Sequence, residues 1–351
     1  MKIGFYPRYS QLGASSRYRF YMYFQRYLAE NGSVPISIAD GFSDRYLQTL
    51  YREGRVSRWR QFREFMHMLM RSLHLAENLI IEYELVPNLP WKYEQKLIGK
   101  RPYILNFDDN VWEKYRNNRS LQDKYDQLCR NAAGVITANY YLTEKVRPLN
   151  DNICQIPTVV DLDMYRQAGD KNPQFTIVWI GTPVTYMYLE QRLKMLQMLT
   201  ADGSCELLVI ADANLGKQRP LHGVRARYVD WSSDGEVDWL CRSHIGIMPL
   251  ADDAFSRGKS AFKLLQYQAA GLPVVASPVG ENNFVVENGQ NGFLASGDED
   301  FVQACRKLQH DHILYRHCHD EALKRAYDYS IQKYFTIFKN FVEKTFDLPR
   351  A

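Results

Sequence analysis

The sequence predicts an α/β protein made of two parallel-sheet halves, and three observations lead there. Short apolar runs alternate with helical patterns along the chain, which is how parallel α/β units read. The alternation is interrupted by one polar, turn-rich stretch, "DLDMYRQAGDKNPQ" (161–174), and then restarts. A chain of 351 residues also exceeds what one ordinary core organises, so two domains are the natural division. We expect two Rossmann-like halves of about equal size, over 1–165 and 170–329, followed by a last helix over 330–351.

In the first half the expected strands are "KIGFY" (2–6), "PISIA" (35–39), "LIIEY" (79–83), "YILNF" (103–107), "GVITA" (134–138) and "NICQIP" (152–157). Gly13 ends the loop after the first of them. Ser15 or Ser16 then caps a helix that Gly32 stops,. Arg17 and Arg19, near that helix start, are either surface charges or contacts for an anion. Asp108 and Asp109 follow a buried strand at its C-terminal edge. Paired carboxylates there hold substrate hydroxyls or accept a proton from an attacking hydroxyl; the competing reading is an Asx turn that caps the next helix.

The stretch "YREGRVSRWRQFREFMHMLMRSLH" (51–74) differs in kind. It holds Arg52, Arg55, Arg58, Arg60, Arg63 and Arg71 against Glu53 and Glu64, a local balance of +4. Trp59, Phe62, Met66, Leu69 and Leu73 form an apolar stripe at helical spacing. This is either a domain helix with its stripe in the core or a basic amphipathic helix for an anionic membrane face.

In the second half the expected strands are "FTIVWIG" (175–181), "ELLVIA" (206–211), "RYVDW" (227–231), "HIGIMPL" (244–250), "PVVAS" (273–277) and "GFLA" (292–295). Gly181 closes the first strand and lets a phosphate approach the backbone, with the Thr182 hydroxyl beside it,. Within "GKSAFKLLQYQAAGLPVVASPVGENN" (258–283), helical spacing puts Lys259, Lys263 and Gln266 on one stripe,. Two lysines near a helix N-terminus suit a diphosphate, and Gln266 suits vicinal hydroxyls such as those of a ribose. The alternative is a solvated lysine face. The loop "SPVGENN" (277–283), with Gly280, Glu281 and Asn282, is a third strand-end loop in the same half. Three such loops favour a nucleotide–diphosphate site, because α/β sheets bind ligands at the carboxyl ends of their strands.

The last segment, "SIQKYFTIFKNFVEKTF" (330–346), places Ile331, Tyr334, Phe335, Phe338, Phe341 and Val342 at helical spacing,. It reads as a core helix that also has the length to brace the first half. "HDHILYRHCHD" (310–320) lacks a second Cys/His pair at metal-site distance and reads as a solvated helical surface,. The remaining composition narrows the class. The apolar fraction of 46% and charged fraction of 24% are globular,. A net charge of +4 is too mild to imply nucleic acid. The six cysteines lack paired spacing, which suits reduced thiols,. The start has no signal-peptide core, and no run reaches about 18 apolar residues. A cytoplasmic protein is expected.

The block from His244 to Ala295 resembles the donor-binding segment of group 1 (family 4) retaining glycosyltransferases of the GT-B fold. "WIGTPVTYMYL" is similar to the first strand and loop of their C-terminal domain, and "FDDNVW" (107–112) and "GASSRYRFYMYFQRYLAENG" (13–32) resemble N-terminal elements of a bacterial branch that builds surface polysaccharides. The resemblance covers nearly the whole chain. It implies a nucleotide-sugar donor in the C-terminal domain, a glycan or glycolipid acceptor on the N-terminal domain, and catalysis in a cleft without a metal or other cofactor. Lys259, Lys263, Asp108 and Asp109 are then the catalytic candidates. Gly181, Thr182, Gln266, Gly280, Glu281 and Asn282 are the donor-binding candidates, and Gly13, Arg17 and Arg19 face the acceptor or cleft. Two positions where the family usually has glutamate hold Gly258 and Gln266. Phe284 stands at another position that is often acidic, and His244 replaces a frequent aspartate. A nucleotide-sugar epimerase of the same fold and a catalytically weak sugar- or nucleotide-binding module are the alternatives.

Overall fold

The computed structural model describes residues 2–30, 34–165, 169–233 and 235–348; the side chain of Arg52 also lies outside the described set. The chain forms two compact units. The first comprises Met1–Val159, Gly258–Ser260 and Lys333–Ala351, and the second Val160–Arg257 and Ala261–Gln332. All twelve apolar runs become strands, within a residue or two of the expected bounds.

The first unit holds a six-stranded parallel sheet in the order β2-β1-β3-β4-β5-β6. Its strands are β1 (Ile3–Tyr6), β2 (Ile36–Ile38), β3 (Asn78–Glu82), β4 (Tyr103–Phe107), β5 (Gly134–Thr137) and β6 (Ile153–Gln155). β1, β3, β4 and β5 are buried along their whole length, while the edge strands β2 and β6 are partly exposed. That is why the inner strands read as unbroken apolar runs rather than alternating ones. Strand order reverses between β1 and β3, and such switch points open a crevice at the carboxyl ends.

The second sheet runs β12-β11-β10-β7-β8-β9 and is also parallel throughout. Its strands are β7 (Phe175–Ile180), β8 (Cys205–Ala211), β9 (Ala226–Asp230), β10 (Ile245–Met248), β11 (Val274–Ala276) and β12 (Gly292–Leu294). Its order reverses between β7 and β10. Separate apolar clusters cover its two faces, one around Leu264, Leu265 and Tyr267 and the other around Leu196, Leu207 and Phe301.

Local details depart from the expectations. The first helix runs over 14–30 and contains a π-helical turn at Arg17–Tyr21. Gly13 itself is its N-cap, and Ser15 and Ser16 lie inside the first turn with their hydroxyls engaged elsewhere. Gly32 is outside the described residues. The stretch 51–74 is split at Gly54, whose φ is +66°, into helices Asp44–Glu53 and Arg58–Arg71. The unit boundary falls at Val159–Val160, before the polar stretch. Backbone hydrogen bonds with Tyr329 and Ile331 tie Val160 to the second unit. Part of the polar stretch (166–168) is outside the described residues.

In the helix Ile331–Thr345, Ile331, Phe335, Phe338 and Val342 are buried. The Phe338 ring lies 4.5 Å from that of Tyr23 and 6.3 Å from that of Phe5. Because Phe338 is enclosed by rings of the first unit, truncation leaves a cavity. Phe338→Ala should lower the stability of that unit by about 3–5 kcal/mol, read as a drop in its urea midpoint. A midpoint equal to wild type would mean that the last helix does not contribute to this core.

Candidate functional site

At the end of β7 the chain turns through Gly181. A Cβ there would lie 2.4 Å from the Trp179 ring and 2.7 Å from Lys263 Nζ, so only glycine fits. The Lys263 ammonium sits 4.0 Å from the centroid of the Trp179 ring and 3.5 Å from Thr185 Oγ1. A ring face holds a cation electrostatically. Thr182 closes a local turn: its N–H donates to Thr185 Oγ1 at 3.1 Å.

The helix behind this lysine is Phe262–Ala269, and its N-cap Ala261 has a left-handed backbone with φ +53°. Lys263 lies in the first turn. Lys259 does not belong to the helix. The expected stripe of Lys259, Lys263 and Gln266 is therefore not formed, because the left-handed residue starts the helix later than periodicity suggests. Lys259 instead groups with the first unit, where Asn139 Nδ2 donates to the carbonyls of Gly258 (3.1 Å) and Lys259 (3.3 Å). Gln266 is 4% exposed and nearly enclosed.

After β11, Gly280 has φ +55°, and a Cβ on it would approach the Arg257 carbonyl to 2.6 Å. Glu281 follows, buried, and burial pushes its carboxyl up to about 7 against a partial offset from Arg325. Asn282 spends its amide on the Ser277 carbonyl at 3.0 Å and so shapes the loop. His244 stacks on Phe175, its Nδ1 accepts from Thr176 N–H, and burial holds its pKa down at about 4. It is a structural residue. Phe284 is exposed.

The first unit gathers carboxylates at the ends of β3 and β4. Glu82 accepts from the Arg8 N–H, Ser16 Oγ and Ser15 Oγ. Burial raises it to about 7, with the hydrogen bonds opposing and Asp108 reinforcing. Ser15 Oγ also lies 3.0 Å from Asp108 Oδ1. One hydroxyl proton serves only one of the two acids at a time. Asp108, 6% exposed, further accepts from the Tyr83 hydroxyl and faces Thr158 Oγ1 at 3.5 Å. Asp109 is half-buried; burial, then the Asp108 charge, raise it to about 6 while Lys259 and Arg19 oppose. The helix Trp112–Tyr115 is capped by Val111, so neither aspartate is a cap.

Arg19 is neither a surface charge nor an open anion contact. It is buried, with its guanidinium bonded to Asn106 Oδ1, the Ile156 carbonyl and Thr158 Oγ1. Arg17 is half-buried and its guanidinium lies 4.8 Å from the Tyr18 ring centroid. Sequence reasoning missed Glu82, Tyr83 and Glu84, although "EYE" after an apolar strand was a signal, and it missed Trp179 and Thr185 beside Gly181.

Residues 174–311 match the family model for glycosyl transferases group 1. The chain is an enzyme of the glycosyltransferase type. Its two parallel sheets with flanking helices are the GT-B fold, and solved structures agree. The glycosyltransferase aligns over 99% of its length with 99% of sucrose-phosphate synthase from Thermosynechococcus elongatus, at TM-score 0.70 and 12% identity. It aligns over 99% of its length with 100% of Anabaena Alr3699/HepE, solved with UDP-glucose, at TM-score 0.69 and 15% identity. A glycosyltransferase from Rickettsia africae aligns over 98% of both chains at TM-score 0.65 and 12% identity. At such identities the likeness is one of fold. No curated protein matches the sequence.

The raised Glu82 carboxyl sets a pH dependence. The folded glycosyltransferase holds this proton more tightly than the unfolded chain. The stability it contributes is full below the ordinary value of 4.5 and is lost as pH rises through about 7,. Between about pH 5 and pH 8 the wild type should therefore lose stability relative to Glu82→Gln, measured by urea midpoints at matched pH. Parallel pH profiles for the two proteins would mean that Glu82 is ionised throughout.

Proposed function

We propose that the protein moves a sugar from a nucleoside-diphosphate sugar to a hydroxyl of a glycan or lipid-linked glycan, with retention and without a metal. The observation that carries this reading is Lys263 poised on Trp179 over Gly181, at the switch point of the second sheet and inside the matched domain. The leaving diphosphate gathers negative charge as the sugar departs, and a fixed cation beside helix N–H groups stabilises that charge. Lys259 groups with the other unit, so the proposal rests on Lys263. Glu281 and Gln266 suit the nucleoside by hydrogen bonding, and Asp108–Asp109 suit the acceptor hydroxyl. The UDP-glucose in the Anabaena structure supports a nucleotide-sugar donor.

Product analysis with labelled nucleotide sugars tests the reading: transfer supports it, whereas isomerisation identifies an epimerase and binding alone a binding module. Lys263→Ala should lower turnover on the order of a hundredfold or more. It should cost only about 1 kcal/mol of stability, the scale of one cation–π contact. Normal turnover in that variant would refute the donor site.

The acceptor reading extends to a membrane. Among the described residues no helix is long and apolar enough to cross one. The stripe on helix Arg58–Arg71 and the turn Ser72–His74 is not core: Trp59 is 74% exposed, Leu73 69%, Met70 64% and Phe62 52%. Of the expected stripe only Leu69 turns inward, where it joins Phe65 and Met68 against the core. Arg55, Arg58 and Arg63 are exposed near the outer stripe. An apolar stripe edged by cations fits an anionic bilayer, so we assign the protein to the cytoplasmic face of the membrane as a peripheral enzyme. Each arginine near such a surface contributes roughly 1 kcal/mol. The protein should sediment with phosphatidylserine-containing vesicles and not with phosphatidylcholine alone, less so at high salt. Changing Arg55, Arg58 and Arg63 to glutamine should weaken this. Indifference to anionic vesicles at low salt would make a soluble acceptor the better reading.

A further inference from the structure

Tyr83 stands out in the first unit because a bulky residue rarely adopts a left-handed backbone, and here φ is +60°,. Such a conformation costs of the order of 1–3 kcal/mol and persists only where its surroundings impose it. Here they do. The Tyr83 N–H donates to the Asn106 carbonyl at 3.0 Å, and the Glu84 N–H donates to the Glu82 carbonyl at 2.7 Å. Glu82 is held by Ser15, Ser16 and the Arg8 N–H, and Glu84 by Lys114, Lys124 and Arg8. Between these two anchored carboxylates, the Tyr83 hydroxyl reaches Asp108 and lies 3.2 Å from Ser15 Oγ.

We propose that Tyr83 is a positioning residue that divides the roles of the paired aspartates. With Ser15 it fixes Asp108 as an internal hydrogen-bond acceptor, and so leaves Asp109 as the carboxylate that receives the hydrogen bond of the attacking acceptor hydroxyl. This deepens the sugar-transfer reading and rests on it for the identity of the acceptor. The enclosure differs as the roles require: Asp108 is surrounded by three hydroxyl groups, while Asp109 is only half-buried. The groups that bear on Asp109 are Asp108 from its own strand end, Tyr83 just after β3, Arg19 from the first helix and Lys259 from the 258–260 segment. The repulsion from Asp108 is part of what keeps the Asp109 carboxyl near 6, where it ionises just below neutral pH.

Tyr83→Phe keeps the ring and removes only the hydroxyl donor to Asp108. Asp108 then loses one of the hydroxyls that hold it against Asp109, and its repulsion of Asp109 falls. The experiment is a ¹³Cγ-aspartate NMR titration of the full chain, with resonances assigned through Asp108→Asn and Asp109→Asn. In the wild type Asp109 should titrate near 6. In Tyr83→Phe and in Ser15→Ala its midpoint should move down, toward the ordinary carboxylate range, and Asp108→Asn should move it the same way. The acid limb of kcat/KM should follow the Asp109 midpoint with donor KM unchanged. An Asp109 midpoint that stays put in both Tyr83→Phe and Ser15→Ala overturns the proposal and leaves Tyr83 as packing. The titration needs neither donor nor acceptor, so its failure is distinct from a failure to observe sugar transfer.

Discussion

Glu84 is enclosed with its charge intact, and the carboxyl end of β3 and β4 in the first unit is arranged around that constraint. An isolated buried carboxylate costs several kcal/mol unless it is paired and hydrogen-bonded. Lys124 (2.6 Å), Lys114 (2.7 Å) and Arg8 (3.1 Å) supply the pairing, and Tyr115 and Tyr125 add hydroxyls. Burial alone would raise this carboxyl; the three cations outweigh it and hold the group well below the usual carboxylate range. Lys124 is itself fully enclosed and lies 2.7 Å from Glu94 as well. The network therefore pins the loop after β3 to the segments that carry Lys114 and Lys124. With that loop pinned, Glu82 and Tyr83 have no freedom to drift from Ser15 and Asp108.

The two units solve opposite electrostatic problems. The first concentrates acids and tunes them apart: Glu84 is forced to ionise, while burial raises Glu82 to about 7 and Asp109 to about 6. Environments that push neighbouring carboxyls apart are how one site obtains both a proton-bearing and a proton-free group. The second unit holds the Lys263 ammonium over the Trp179 ring, 4.0 Å from its centroid, where the strand-end glycine Gly181 leaves it room,. An acid-rich surface suits hydroxyls, and a preorganised cation suits a diphosphate. This division matches a reaction in which one substrate brings the hydroxyl and the other the leaving charge.

The strands were legible because a parallel sheet covered on both faces leaves no alternation to decode, only apolar runs bounded by turns. Gly181 was legible as a site glycine, but its reason was half-seen: the ring of Trp179 and the ammonium of Lys263 occupy the space a side chain would need. The start of the Phe262–Ala269 helix was not legible. Ala261 adopts a left-handed backbone that alanine seldom takes, and periodicity therefore ran the helix back to Lys259. The acid cluster was hidden for a different reason. Ser15 meets residues 67 and 93 positions away, and no local pattern reports such partners. Arg19 reads as a charge near a helix start, yet Asn106, Ile156 and Thr158, all distant in sequence, enclose it.

The arginine-rich helix shows what periodicity leaves open. Spacing marks a stripe, and nothing in the spacing says which way the stripe faces. Here the helix has two apolar sides, because Met68, Phe65 and Leu69 already serve the core while Trp59, Phe62, Met70 and Leu73 stay in water. Glu64 and Arg71 explain the orientation. Glu64 accepts from both the N–H and the hydroxyl of Ser43, and Arg71 donates to the carbonyls of Ala39 and Leu85. Turning the outer stripe inward would break those bonds and strand a carboxylate and a guanidinium, each costing more than one apolar side chain gains, about 1.5–3 kcal/mol. The polar anchors therefore fix the outward face, and folding of the unit gains nothing from the large apolar residues on it. A second apolar phase would have to cover them for that contribution to be realised, and the flanking arginines suit the anionic surface of the proposed membrane contact.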